Sequence, residues 1–194
     1  PQAGHAPHLV PLEWADAYKG VFDAGYEAMR PEILARQIEL GLLPEGTELS
    51  EINPHGEPAR TGPNGEPWPL LDTVRPWETL SDDEKRLFIR MAEVFAGYIT
   101  YYDDRLGRII DYLEQADELD NTIIVFTTDN GAEVQTYPDG GVTPFKAGKL
   151  TTWEGGMRAP CVIRWPGVVK PGTVFKEMFS SLDWVPTFVE IAGG

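Results

Sequence analysis

The chain has 194 residues, 42% of them hydrophobic and 24% charged, with 31 Asp and Glu against 16 Lys and Arg. That is the make-up of a soluble globular domain with a core of its own, not of a disordered chain, and no apolar run approaches the ~20 residues needed to span a bilayer. The formal net charge of -15 argues against a nucleic-acid surface, so an anionic ligand would need a local cationic pocket or a bound metal.

Residues 1–20, PQAGHAPHLVPLEWADAYKG, are rich in Pro and His at first and more helical afterwards. The prolines there favour extended or turning backbone. Residues 31–43, PEILARQIELGLL, predict a short helix, with Pro31 at its first position and Gly41 as its stop. Residues 44–80 hold seven prolines and four glycines with little periodicity. They predict a long irregular excursion, a kind of loop that is usually functional or loosely ordered; His55 within it reads as a surface residue.

The strongest helical signal covers residues 81–116. Ser81 and Glu84 have capping-box spacing, and Leu87, Phe88, Met91, Val94, Phe95, Tyr98, Tyr102, Leu106, Ile109, Ile110 and Leu113 continue a core-facing stripe. Gly97 and Gly107 weaken that helix, which points to close packing at both. Asp120-Asn121 then turns the chain into Thr122–Thr128, a strand in which six of seven residues are β-branched and no polar alternation appears. Such a run predicts a central strand covered on both faces. Helix, turn and buried strand make half of a βαβ unit, so the fold class predicted is α/β, a mostly parallel sheet flanked by helices. Residues 132–157 read as a Gly-rich loop and Cys161–Trp165 as a second short strand, closed by Pro166-Gly167. Cys161, the one cysteine, reads as a buried structural thiol and leaves no internal disulfide possible. Phe179–Ala192 predicts a final short helix with Asp183 and Pro186 near its start.

Three stretches carry candidate chemistry. The first strand ends in Asp129-Asn130-Gly131, and open parallel sheets place ligands beyond the carboxyl ends of their strands. A carboxylate beside a carboxamide offers hard oxygen donors suited to Ca²⁺ or Mg²⁺, yet the same residues also serve as an ordinary strand-ending turn. Two donors fall short of a shell of roughly six to eight oxygens. The second stretch is PFKAGKLTTWEGGMRAP, residues 144–160, where Lys149 on a glycine-flanked loop can reach an anion or simply be solvated, with Lys146 as its competitor. The third is GHAPHLVP, where His5 and His8 are either loop histidines or donors to an anionic oxygen near neutral pH.

TTDNG, GKLTTWEGGMRAPCVIRWPG and SSLDWVPTFVEIAG, in that order, resemble the second half of a sulfatase catalytic domain of the arylsulfatase-like kind, within the alkaline-phosphatase-like superfamily. GHAPHLVPLEWADAYKG and MAEVFAGYITYYDDRLGRIIDYLEQADELDNT are similar to the middle region of bacterial arylsulfatases. The resemblance implies that Asp129 and Asn130 are ligands of a divalent cation, usually Ca²⁺, and that Lys149 rather than Lys146 contacts a sulfate ester. It implies that His5 contacts the sulfate or assists the leaving oxygen, with Gly4 where proline is more usual. His8 then falls outside direct contact, and Glu154 and Arg158 support the loop.

The resemblance also exposes a gap. Sulfatases use a formylglycine nucleophile made from the Cys or Ser of a C/S-x-P-S-R motif, and no such motif occurs in these residues; Cys161 in APCVIRW does not supply one. The expectation is therefore a partial sulfatase catalytic domain over residues 1–194 that lacks its nucleophile-bearing amino-terminal portion. By itself it would be inactive and would bind Ca²⁺ poorly. The partners implied are a small-molecule or glycan sulfate ester and the rest of the domain, with an exported or periplasmic location common for the type. A phosphate- or phosphonate-ester hydrolase of the same superfamily and a non-catalytic anion-binding module are the alternatives.

Overall fold

A computed structural model of the chain describes residues 5, 7–49, 74–133, 145–175 and 177–194. Gly4, His55 and residues 50–73 of the predicted excursion lie outside the described residues. Helix α1 spans Leu12–Asp16, α2 Gly25–Glu39 and α3 Asp82–Gln115. Strand β1 is Ile124–Thr127, α4 is Glu154–Met157, β2 is Cys161–Arg164 and α5 is Trp184–Ile191.

Helix α3 is the backbone of the assembly, and it starts where its capping box says. The Ser81 hydroxyl accepts from the Glu84 N–H at 3.3 Å, and the Glu84 carboxylate accepts from the Ser81 N–H at 2.8 Å. Helix α1 crosses α3 at Gly97, where a Cβ would overlap the Trp14 carbonyl carbon and the Ala15 nitrogen. Trp14 then lies edge-on to Tyr101, with ring centroids 5.3 Å apart. Beside this crossing Arg90 reaches Asp16 at 2.8 Å and Glu93 at 2.7 Å, and the Gly20 N–H donates to Glu93. Glu93 is buried at 5% exposure, and these donors compensate its charge. At Gly107 no atom lies within 4 Å of an added Cβ, so the close packing expected there is absent among the described residues.

The second helix differs from its expected bounds. It begins at Gly25, six residues early, and carries Pro31 inside it rather than at its start. A tertiary contact outweighs the missing proline N–H: Gly25 lies under the Trp77 ring, Tyr26 meets that ring edge-on at 5.1 Å, and the Trp77 N–H donates to Glu27 at 2.6 Å. Its end is as expected. Gly41 has φ +70° and closes a Schellman motif, with Leu42 N–H donating to the Gln37 carbonyl and Gly41 N–H to the Ile38 carbonyl, both at 2.9 Å.

In place of the expected parallel sheet, the described residues form a two-stranded antiparallel ribbon. Ile124 faces Arg164, and Thr127 faces Cys161. The chain comes back through α4 and starts β2 at the carboxyl end of β1. A return without a crossover along the whole strand gives an antiparallel pair. Tyr102 of α3 approaches Phe126 of β1 at 6.1 Å between ring centroids, yet Phe126 and Thr127 are exposed rather than covered on both faces. Cys161 is exposed as well, which corrects its reading as a buried thiol. A β-branched run records what a strand can bury, and the described neighbours do not cover this one. Arg164 secures the ribbon's other end by donating to the Leu119 carbonyl at 2.5 Å and to Asp120 at 2.8 Å. Further on, α5 follows a Ser180–Asp183 capping box, and Trp184 packs between Phe179 and Phe188.

Candidate active site

Beyond β1 the chain folds back on itself by short polar hydrogen bonds. Thr127 Oγ1 donates to the Pro160 carbonyl at 3.0 Å, tying the strand end to the start of β2. Thr128 Oγ1 donates to the Asn130 carbonyl at 3.1 Å, and Asn130 Nδ2 to the Gly131 carbonyl at 2.8 Å. Committing Nδ2 in this way leaves Asn130 Oδ1 as the acceptor end of the amide. Asp129 is exposed beside it.

The loop carrying Lys149 is pressed against this turn. Gly131 N–H donates to the Gly156 carbonyl at 2.9 Å, Lys149 N–H to the Ala132 carbonyl at 2.8 Å, and Gly155 N–H to the Lys146 carbonyl at 2.8 Å. Gly131, Gly148, Gly155 and Gly156 are all buried. A Cβ on Gly131 would overlap the Gly155 carbonyl, and one on Gly155 or Gly156 would strike the carbonyls of Ala147 or Thr151. The glycine after Asp129-Asn130 is thus required by close approach of two backbones, and its φ is not in the left-handed region. Left-handed φ falls instead on Ala147 (59°) and Leu150 (73°), which bracket Gly148-Lys149. Non-glycine residues held there are uncommon, and such strain collects at functional loops.

The loop's cations have separate partners. Lys149 Nζ lies 3.6 Å from Glu133, with side chains 24% and 33% exposed. Lys146 Nζ stands 3.7 Å over the Trp153 ring. Arg158 pairs with Glu154 along α4 and covers Phe145 at 4.4 Å. Of the two lysines, Lys149 is the one whose N–H bonds to Ala132, shortly after the Asp129-Asn130 turn, and whose ammonium lies near Glu133.

His5 is exposed. Its segment is located by His8, whose ring packs on Phe95 and Tyr98 at 4.8 and 5.7 Å, one turn of α3 before the Tyr102 that faces β1. Direct backbone hydrogen bonds thus join the Asp129-Asn130 turn to the Lys149 loop, while α3 carries the histidine segment on Phe95 and Tyr98 and meets β1 through Tyr102.

A cation fits this turn in chemistry and in part in number. Asp129 and Asn130 are hard oxygen donors, but among the described residues no three His, Cys, Asp or Glu side chains converge on one point. An open cavity of about 470 Å³ lies elsewhere, between α1 and α3, lined by Leu12, Asp16, Lys19, Arg86, Arg90 and Glu93. Its cationic side chains are taken up by Asp16, Asp83 and Glu93.

Sequence reasoning named Lys149 and the Asp129-Asn130 pair but missed Glu133 and the two strained residues. An acidic residue two positions past a glycine is one signal among many. Alanine and leucine give no sign of left-handed backbone.

The sequence model of the family described as Sulfatase matches residues 1–194. An uncharacterised sulfatase of Schizosaccharomyces pombe is 28% identical over 98% of this chain and 38% of its own length. An arylsulfatase of Klebsiella aerogenes is 24% identical over 98% of this chain and 44% of its own. Human N-acetylgalactosamine-6-sulfatase is 42% identical over 93 residues, which are 47% of this chain and 18% of that protein. A solved structure, Ps i-CgsB in complex with k-i-k-neocarrahexaose, overlaps 72% of this chain and 27% of its own with a TM-score of 0.49 and 29% identity. The chain spans less than half the length of the curated relatives it matches.

Proposed function

Since the chain belongs to the sulfatase family, we propose that its Asp129-Asn130 turn and Lys149 loop form one wall of a pocket that hydrolyses sulfate monoesters. The observation that carries this reading is the Lys149 N–H to Ala132 carbonyl hydrogen bond at 2.8 Å, which ties the Lys149 loop to the segment that follows the two oxygen donors. Asp129 and Asn130 Oδ1 would hold a divalent cation, Ca²⁺ or Mg²⁺. When bound, that ion supplies positive charge where the sulfate ester gains negative charge. Lys149 adds a second, compact positive charge on a flexible stem and contacts the ester oxygens. His5 takes the part of a donor to the departing oxygen, a role that suits imidazole near neutral pH. The close-packed glycines Gly131, Gly155 and Gly156 keep side chains out of the space between the loops, so the backbone that carries Asp129, Asn130 and Lys149 is held at close approach.

The nucleophile, a formylglycine, comes in this proposal from residues outside these 194, as does the other wall of the cation site. Two facts support that: no C/S-x-P-S-R motif occurs in the chain, and its relatives are more than twice as long. Turnover of an aryl sulfate by the full-length protein, set against an aryl phosphate, tests the reaction class. Preference for the phosphate would move the assignment to phosphate-ester hydrolysis, and no turnover of either would leave an anion-binding module. Within an active protein, Lys149→Ala should lower kcat/KM by about 10² to 10³. Asp129→Ala should abolish turnover with a melting temperature near that of the parent, since Asp129 is exposed. Unfolding of the Asp129 variant with no specific loss of activity would return that residue to a strand-ending turn.

A further inference from the structure

We propose that Glu133 is the positioning residue for Lys149, holding its ammonium in place until an anion arrives; this rests on the reading of Lys149 just given. The backbone and side chain of the same short segment act together. Ala132 accepts the Lys149 N–H, and Glu133, the next residue, brings its carboxylate to 3.6 Å from Lys149 Nζ. That separation exceeds the 2.7–2.9 Å of a tight charge-assisted hydrogen bond. The carboxylate therefore restrains the ammonium without consuming its donors.

A structural purpose accounts poorly for the pair. Both side chains are partly exposed, at 24% and 33%, and ion pairs in that setting contribute little to stability. A lysine stem without a restraint samples many rotamers, and ordering it in the transition state costs catalytic rate. Glu154, the carboxylate of the Lys149 loop, does not replace the contact, because it is paired with Arg158. A carboxylate beside an anion pocket also repels the incoming ester. Removing it should therefore move kcat and KM in a pattern that simple loss of folded protein does not produce.

The experiment compares Glu133→Gln and Glu133→Asp with the parent in the full-length protein. In Glu133→Gln, kcat for an aryl sulfate should fall about tenfold while KM stays level or drops. Glu133→Asp keeps the charge and should recover part of the loss. Independently of turnover, the ¹⁵Nζ signal of Lys149, assigned by its disappearance in Lys149→Arg, should shift or broaden in Glu133→Gln. A Glu133→Gln protein with an unmoved Nζ signal, or with kcat within about twofold of the parent, overturns the proposal. A parent protein that ignores aryl sulfates while its Nζ signal still responds to Glu133→Gln sinks the sulfatase reading and leaves the pairing in place.

Discussion

Glu84 joins three donors on one carboxylate. Arg75 lies 2.5 Å away, and both the N–H and the hydroxyl of Ser81 donate to the same side chain. The Arg75 hydrogen bond is the larger cause, followed by the two from Ser81, and together they lower the carboxyl from its ordinary 4.5 to about 2. A carboxyl depressed by folding adds stability above its unfolded value and loses it as pH falls toward its folded one. Thermal melts of the parent should therefore drop in midpoint between pH 4.5 and about 2. Glu84→Gln should melt lower at neutral pH and show a shallower fall across that window. Some slope should persist, because Asp16 is also lowered, first by its hydrogen bond from Lys19 and then by Arg90. At the candidate site the same scale separates two lysines that spacing leaves in competition: Lys146 is over an aromatic face and Lys149 is near the Glu133 carboxylate. The resemblance to a family motif prefers Lys149; the contacts show that the two lysines have different partners.

Helix α3 shows how element packing gives one sequence signal two outcomes. Gly97 and Gly107 read alike in the sequence, as mild defects in a long helix. Replacing Gly107 by Ala meets no atom within 4 Å and should gain up to about 1 kcal/mol in helix propensity. Gly97→Ala makes the same gain but drives a methyl group into the backbone of α1 at Trp14 and Ala15. Overpacking costs about 1–3 kcal/mol, and backbone cannot rotate away, so the net effect should be a loss of up to about 2 kcal/mol. Urea denaturation of the two variants should shift the midpoints in opposite directions, and equal shifts would mean that α1 does not cross at Gly97. The capping box at Ser81 and the Gly41 stop were readable because caps are local: their partners lie within a few residues. The start of α2 was not, because Trp77, some fifty residues on, determines it.

At the scale of the molecule, the apolar interior among the described residues is small. Among the described residues only Ala15, Trp77 and Leu80 are buried apolar side chains, whereas Met178, Val162, Val185 and Phe188 are exposed. Among the described residues the oxygen donors of the candidate cation site are similarly few, with two side chains against the roughly six to eight ligands a calcium ion takes. Isothermal titration of the 194-residue chain with CaCl₂ should accordingly show no micromolar binding, and the chain alone should leave an aryl sulfate intact. A micromolar dissociation constant would mean that a full ligand set lies within these residues. The sequence alone determined what depends on neighbours in the chain: the limits of α3, the stop of α2, the two strands, and the motif order that identifies the family. It also proposed Asp129, Asn130, Lys149 and His5 by resemblance. Tertiary structure decided the pairing direction of the strands, the exposure of Cys161 and Phe126, and the backbone contact that joins Lys149 to Ala132. These depend on which distant segments meet, and a run of β-branched residues or a pair of glycines specifies a capacity for contact without naming the partner.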